Sequence, residues 1–314
     1  MEKNIAKPFV KWAGGKSRIL NFLTDHLPGE LKNGNMINYV EPFVGGGSLF
    51  FHVMNNYQIE KAIINDSNFS LIACYLTVQK DVDKLIEKLR DISDEYYSIT
   101  LEDCKKQFYY HVRSEFNILK KRLEKNNKSN GKIEYSKNFV EFAKFFIFLN
   151  KFCFNGLFRL NSKGEFNVPM GNYNNPDIIS EKNLKNINKI LRKTRIYNYD
   201  FEKIERQISD FSFVYIDPPY RVQKNNGFLE YNEKIFSWDD QIRLSKMIYR
   251  LSQNKVDMMI SNANNPNIID MYEDFYISTT HRNCVIGGGN SYRKKVKEII
   301  LTNYDTTKLK KLII

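Results

Sequence analysis

Cysteine is scarce in this chain: Cys74, Cys104, Cys153 and Cys284 are scattered through 314 residues, with no CxxC pair. Histidine is as scarce (His26, His52, His111, His281) and as scattered. Both a zinc site and a disulfide framework need a spacing that these residues lack, so no metal is expected and the chain reads as reduced and cytoplasmic. No stretch of about 18 uncharged apolar residues occurs, which excludes a membrane-spanning helix. The opening MEKNIAKPFVKWAGGK has no apolar segment ahead of a small-residue cleavage site, so no signal peptide is expected. Acid is missing altogether from 282–297, where Arg282, Arg293, Lys294, Lys295 and Lys297 stand unopposed.

What is present is basic charge on an ordinary globular composition. Forty-eight Lys and Arg face 36 Asp and Glu, a formal net charge of +12, with 42% hydrophobic residues. The surplus is clustered: residues 105–137 hold ten Lys or Arg against three acids. Two separated basic clusters point to a polyanionic partner, because clustered cations release counterions from phosphate. An AT-biased genome, which raises Lys and Asn together, is the plain alternative.

The hydrophobic pattern divides the chain in three. Asn38–Phe43 and 62–64 are short, apolar and β-branched, as buried strands are, and the glycine run 45–47 leads from the first into a helix starting at Ser48. This is the opening of a doubly wound α/β sheet. From about Phe69 to Ile179 the pattern is helical (71–89, 108–123, and a strongly aromatic helix 139–154). A Lys/Asn patch at 125–132 interrupts it, and GLFRLNSKGEFNVPMGNY closes it as a hairpin or ordered loop. Strand-like segments then return at 195–199, 211–216, 256–261 and 296–302, with a helix at 241–251. The expected fold is α/β, a sheet interrupted by a mainly helical insertion.

Three motifs invite chemistry. In Glu41-Pro-Phe-Val-Gly-Gly-Gly-Ser-Leu-Phe50 a glycine turn follows a strand and opens a helix, which allows a ligand close to the backbone. The third glycine of the dinucleotide fingerprint is missing, which disfavours NAD or FAD. Asp66, nineteen residues after Gly47, stands where an acid accepts from ribose hydroxyls, so a nucleoside-bearing cofactor such as S-adenosylmethionine fits. In Trp12-Ala-Gly-Gly-Lys-Ser17 the letters GKS suggest a phosphate loop, but position 10 is Val and no strand precedes it. In Asp217-Pro-Pro-Tyr220, after FSFVYI, the prolines remove two N–H donors. The loop then offers the Asp217 carboxylate and Pro218 carbonyl as acceptors beside the Tyr220 ring, a set suited to a flat group with an exocyclic amine.

FVKWAGGK (9–16), YVEPFVGGGSLFF (39–51), IIND (63–66), NGLFRLNSKGEFNVPMGNY (155–173) and DPPY (217–220) occur in one order over nearly the whole chain. In that order the chain resembles the Dam-type, class D12 (alpha group) DNA N6-adenine methyltransferases. The resemblance implies an S-adenosylmethionine-dependent, Rossmann-like sheet from 1–68 and 180–314 and a DNA target-recognition domain at 69–179. It implies a cofactor pocket lined by Trp12, Lys16, Glu41, Phe43, Gly45, Asp66 and Asp217, with Asp217, Pro218 and Tyr220 catalytic. It implies DNA contacts from Lys11 and from Asn155, Leu157, Arg159, Pro169 and Tyr173 on the hairpin. Phe154 stands where the family often has Tyr. Arg293, Lys294 and Lys295 are expected on phosphates.

The implied activity is methyl transfer to N6 of an adenine flipped out of double-stranded DNA, at GATC or a related short site. A cognate restriction endonuclease, encoded separately, is a candidate partner. The residues support a base-reading Arg159, since a guanidinium can fork to guanine O6 and N7. Transfer to cytosine N4, or to RNA, would use the same DPPY chemistry, and a catalytically silent DNA-binding module is the other alternative.

Overall fold

The computed structural model describes residues 5–127, 133–173, 176–220, 236–285 and 293–306, and of 281–285 and 293–296 the backbone alone. Among the described residues seven strands form one sheet in the order β3-β2-β1-β4-β5-β7-β6. They are β1 (Asn38–Glu41), β2 (Lys61–Asn65), β3 (Thr194–Tyr197), β4 (Ser212–Ile216), β5 (Val256–Ala263), β6 (Tyr276–Val285) and β7 (Arg293–Thr302). β1 pairs in parallel with β2 and with β4, and β4 with β5, while β7 runs antiparallel to β5 and β6. The direction of winding therefore reverses between β1 and β4, and a sheet of this kind offers a ligand site at the carboxyl ends of those strands. β4 is buried at every position, which explains its apolar run over 213–216.

Among the described residues the α-helices are α1 (Leu20–Asp25), α2 (Gly29–Lys32), α3 (Ser48–Asn56), α4 (Phe69–Lys80), α5 (Val82–Ser98), α6 (Glu102–Asn126), α7 (Asn138–Phe152), α8 (Glu181–Leu191), α9 (Phe201–Ile204), α10 (Trp238–Ser252) and α11 (Pro266–Ile269). The helical run expected over 71–89 is two helices, separated at Asp81. The aromatic helix ends at Phe152 rather than 154. β6 and α8 were not expected. β7 begins at Arg293, three residues ahead of the strand-like segment expected at 296–302, so the backbone of Arg293–Lys295 belongs to a strand.

Internal contacts group the chain into two units: Met1–Gly15, Gly45–Asn55 and Asn65–Tyr199 in one, and Lys16–Val44, Asn56–Ile64 and Asp200–Ile314 in the other. The first holds α4 to α8, with an aromatic core that includes Phe116, Phe139, Phe142, Phe146 and Phe148. The second holds β4, β5 and α10, whose start is fixed by a reciprocal Ser237–Asp240 capping box.

A recurring device orders the irregular segments. An asparagine amide can accept from an N–H and donate to a C=O, so it substitutes for a neighbouring strand. Asn55 does this to Ala6, Asn183 to Lys7, Asn150 to Lys11, Asn117 to Phe166 and Asn65 to Tyr199. The asparagine content that composition alone attributes to a genomic bias thus has a structural use.

Candidate active site

In the second unit, Asp217 follows β4 directly, at the reversal point of the sheet. Its Oδ1 lies 2.8 Å from the Lys16 ammonium, and Lys16 is only 3% exposed. The same ammonium sits 4.5 Å from the centre of the Tyr220 ring, within range of a cation–π contact. One lysine therefore ties the first and last residues of the DPPY loop. Beneath the loop lie two buried polar pairs. Tyr39 donates to Glu41 Oε2 (2.7 Å), and the Tyr215 hydroxyl lies 2.8 Å from Ser261 Oγ. Burial pushes the Tyr220 hydroxyl well above the ordinary tyrosine value, and the charges of Asp217 and Glu298 push it further in the same direction. Phe43 packs on Phe201 and Phe236 with ring centres 5.4 and 5.7 Å away.

In the first unit, the glycine loop is shaped by its own neighbours. A side chain on Gly45 would come within 2.9 Å of the Trp12 ring, and Gly45 has φ +48°. The glycines admit Trp12 and Tyr75, and the Tyr75 hydroxyl donates to the Gly45 carbonyl (3.1 Å). Asp66 closes the loop from below: Oδ2 accepts from Gly45 N–H (3.0 Å) and Oδ1 from Asn68 N–H (2.9 Å). Burial raises Asp66 to about 6, against the pull of these two N–H groups.

The hairpin is held by one face of α6. Tyr109 donates to the Val168 carbonyl (2.9 Å), Arg113 reaches the same carbonyl (3.4 Å), Asn117 takes both peptide groups of Phe166, and Lys120 donates to the Gly164 carbonyl (2.9 Å). Positions 109, 113, 117 and 120 recur at helical spacing, so they share a face. Two cations counted in the basic cluster, Arg113 and Lys120, are thus used inside the protein; Lys120 is buried and paired with Glu124. Within the hairpin, Arg159 Nε donates to Asn167 Oδ1 (2.8 Å). Phe158 stacks on Trp12 at 5.5 Å. Asn155 is exposed and has φ +56°, in the left-handed region that asparagine tolerates better than most residues.

Compared with known proteins, residues 12–284 match the family described as D12 class N6 adenine-specific DNA methyltransferase. The chain belongs to that family. It is 42% identical over 301 residues to the Type II methyltransferase M.MjaIII of Methanocaldococcus jannaschii, covering 95% of this chain and 99% of that one. It is 34% identical to the Type II methyltransferase M1.LlaDCHI of Lactococcus lactis subsp. cremoris, over 95% of each chain. It is 30% identical to the DNA adenine methylase of Escherichia coli K12, over 96% of this chain and 95% of that one.

For a D12 methyltransferase the sequence-expected residues fall into sets within each unit. Lys16, Glu41, Phe43, Asp217, Pro218 and Tyr220 belong to the second unit; Lys11, Trp12, Gly45, Asp66, Asn155, Leu157, Arg159, Pro169 and Tyr173 belong to the first. Pro169 is exposed, and its carbonyl accepts from Phe154 N–H (2.9 Å). Leu157 is half-buried, and Tyr173 lies under the Lys11 ammonium at 4.4 Å. The side chains of Arg293, Lys294 and Lys295 lie outside the described residues, as does most of the Lys/Asn patch, 128–132. Sequence reasoning missed Asn117, Asn150 and Asn167, and the pairing of Lys16 with Asp217. One signal was available: Asn150 interrupts FFIFLNKF, and a polar side chain on a buried face must find partners. Among the described residues no helix is long and apolar enough to cross a membrane.

Proposed function

We propose that this D12 methyltransferase uses S-adenosylmethionine to methylate adenine N6 in double-stranded DNA, at GATC or a related short site, after the adenine leaves the base stack. The observation that carries the reading is Asp217, fixed by a buried lysine at the reversal point of the sheet. With Oδ1 turned to Lys16, Oδ2 is the oxygen left to accept one N6 proton, and the Pro218 carbonyl accepts the other. That pair favours a pyramidal nitrogen whose lone pair is no longer spread into the ring. Tyr220 offers a stacking face, and unstacking a base from the duplex costs a few kcal/mol. Asp217 takes up the proton that leaves N6, or passes it to water. Position and electrostatics carry the rate.

The residues present fit the donor. S-adenosylmethionine supplies an electrophilic methyl group on sulfur. Each Asp66 oxygen already accepts one N–H, and its remaining lone pairs suit the two hydroxyls of a ribose. Trp12 is half-buried and offers an aromatic edge, and Lys16, Glu41, Phe43 and Gly45 complete the proposed donor set.

Lys11, Asn155, Leu157, Arg159, Pro169 and Tyr173 are proposed to read the site. Asn167 holds Arg159 by Nε, which leaves the two terminal nitrogens as the fork for guanine. Arg293, Lys294 and Lys295 are proposed on phosphates. Residues 69–179 are proposed as the target-recognition domain and 1–68 with 180–314 as the catalytic one. A separately encoded restriction endonuclease is the proposed partner. The test is digestion of DNA treated with protein and S-adenosylmethionine, followed by nucleoside analysis and mapping. N6-methyladenine at one short site is expected; N4-methylcytosine, or no methyl transfer, contradicts the reading.

A further inference from the structure

Lys11 is exposed, yet its backbone is not free to move. Asn150, on the aromatic face of α7 and 3% exposed, accepts the Lys11 N–H at Oδ1 (2.7 Å) and donates Nδ2 to the Lys11 carbonyl (2.8 Å). Its second Nδ2 proton points to the Gly156 carbonyl at 3.4 Å. Turning the amide over would set donor against donor and acceptor against acceptor, so this orientation is the one the partners permit. Gly156, with φ +62°, meets the Lys11 side chain so closely that a Cβ would lie 2.4 Å from Lys11 Cδ. The ammonium ends over the Tyr173 ring. Lys11 is thus fixed from α7, from the start of the hairpin and from its end, and all of these residues lie in one unit.

We propose that Asn150 is a specificity-positioning residue. Its grip on the Lys11 peptide sets where the ammonium stands beside the hairpin, and so sets discrimination at the base that Lys11 contacts. This rests on the reading of Lys11 as a base contact. A carboxylate at 150 could not donate to the Lys11 carbonyl, and an apolar residue could do neither task. The effect should be local in sequence space, because Asn150 itself is buried and touches no base.

The test is single-turnover methylation by the full chain, with S-adenosylmethionine, on duplexes carrying the mapped site and each of its single base-pair substitutions. Lys11→Met, Asn150→Ala and the double variant are compared with wild type, and Asn150→Ser is used if Asn150→Ala does not fold. The expected result is that Lys11→Met and Asn150→Ala both lose roughly tenfold in discrimination at the same single position, the size of one lost base contact. The double variant should lose no more than either alone. If Lys11→Met leaves every position unchanged, the reading of Lys11 falls and the proposal with it. If Lys11→Met relaxes one position and the Asn150 variant does not, the proposal alone falls. An even loss over all duplexes, or additive losses in the double variant, gives Asn150 a merely structural role and also overturns it.

Discussion

Asp217 in the second unit and Arg159 in the first are both anchored, one by a buried opposite charge and the other by the neutral amide of Asn167. Around Asp217 the groups are ionic and buried: Lys16 is 3% exposed and Glu41 2%. Taking such groups out of water costs several kcal/mol each, and the loss is recovered only while every partner stays in place. Around Arg159 the hairpin's peptide groups are held by Tyr109, Asn117 and Lys120, Asn150 holds the Lys11 peptide, and the guanidinium itself is held by Asn167. Each such bond contributes about 1 kcal/mol net, so the hairpin is held by many small terms. The difference suits the two tasks. Chemistry needs one charge in one place, whereas reading bases needs a surface that keeps its outline while single contacts change.

That contrast can be broken experimentally. The largest effect belongs to Asp217→Ala, which should lower single-turnover methyl transfer by at least about a hundredfold. DNA affinity should hold, because the basic clusters are untouched; transfer at a near wild-type rate would remove Asp217 from the chemistry.

Lys16→Met comes next. It leaves Asp217 beside Tyr220 without its counter-charge, and loss of one partner of a buried pair costs about 3 kcal/mol. Thermal unfolding should show a clear drop together with loss of activity. If the midpoint did not move, the pair would not be an anchor.

Asp66→Ala should weaken S-adenosylmethionine binding by about 1.5–3 kcal/mol, as for hydrogen bonds to a charged group. Asp66 also predicts a pH dependence. Its value in the free protein is about 6, raised by burial. Hydroxyl donors favour the ionised form, so the bound value lies lower. Binding therefore releases a proton near and below pH 6, and affinity rises with pH through that window and then levels off. Calorimetry in two buffers of different ionisation heat reads the released proton; in Asp66→Ala it should vanish.

The smallest effect is that of Asn117→Ala, about 1–2 kcal/mol of stability, through loss of two bonds to Phe166. Discrimination should fall with it while S-adenosylmethionine affinity stays. Equal changes in both would mean that α6 does not act on the hairpin alone.

Much of this is legible in the sequence alone, for definite reasons. β4 shows itself as the apolar run 213–216 because it is buried at every position, and the loop after it is marked by two prolines. β6 was not legible. YISTTHRNCV carries His, Arg and Asn, and it is a strand because ten of its residues pair in register with β7. The glycine loop is legible in the sequence, but its neighbours are not: a Cβ at Gly45 would meet Trp12 and one at Gly47 would meet Tyr75. The resemblance puts Lys16 on the donor, and nothing local reveals that it also meets Asp217, about two hundred positions later. The asparagine clamps were hidden for a similar reason. Asn is common in turns and on surfaces, and only the partner peptides distinguish Asn117 or Asn150 from a solvated side chain.

The claim that chemistry and reading are anchored apart is tested most directly by binding of Asp217→Ala and Arg159→Ala to the mapped duplex and its single base-pair substitutions. The account predicts that Asp217→Ala keeps the wild-type order of affinities while transferring no methyl group. Arg159→Ala should lose about 1–3 kcal/mol of discrimination at one guanine and little elsewhere. A flattened order in Asp217→Ala, or an even loss across all duplexes in Arg159→Ala, would contradict it.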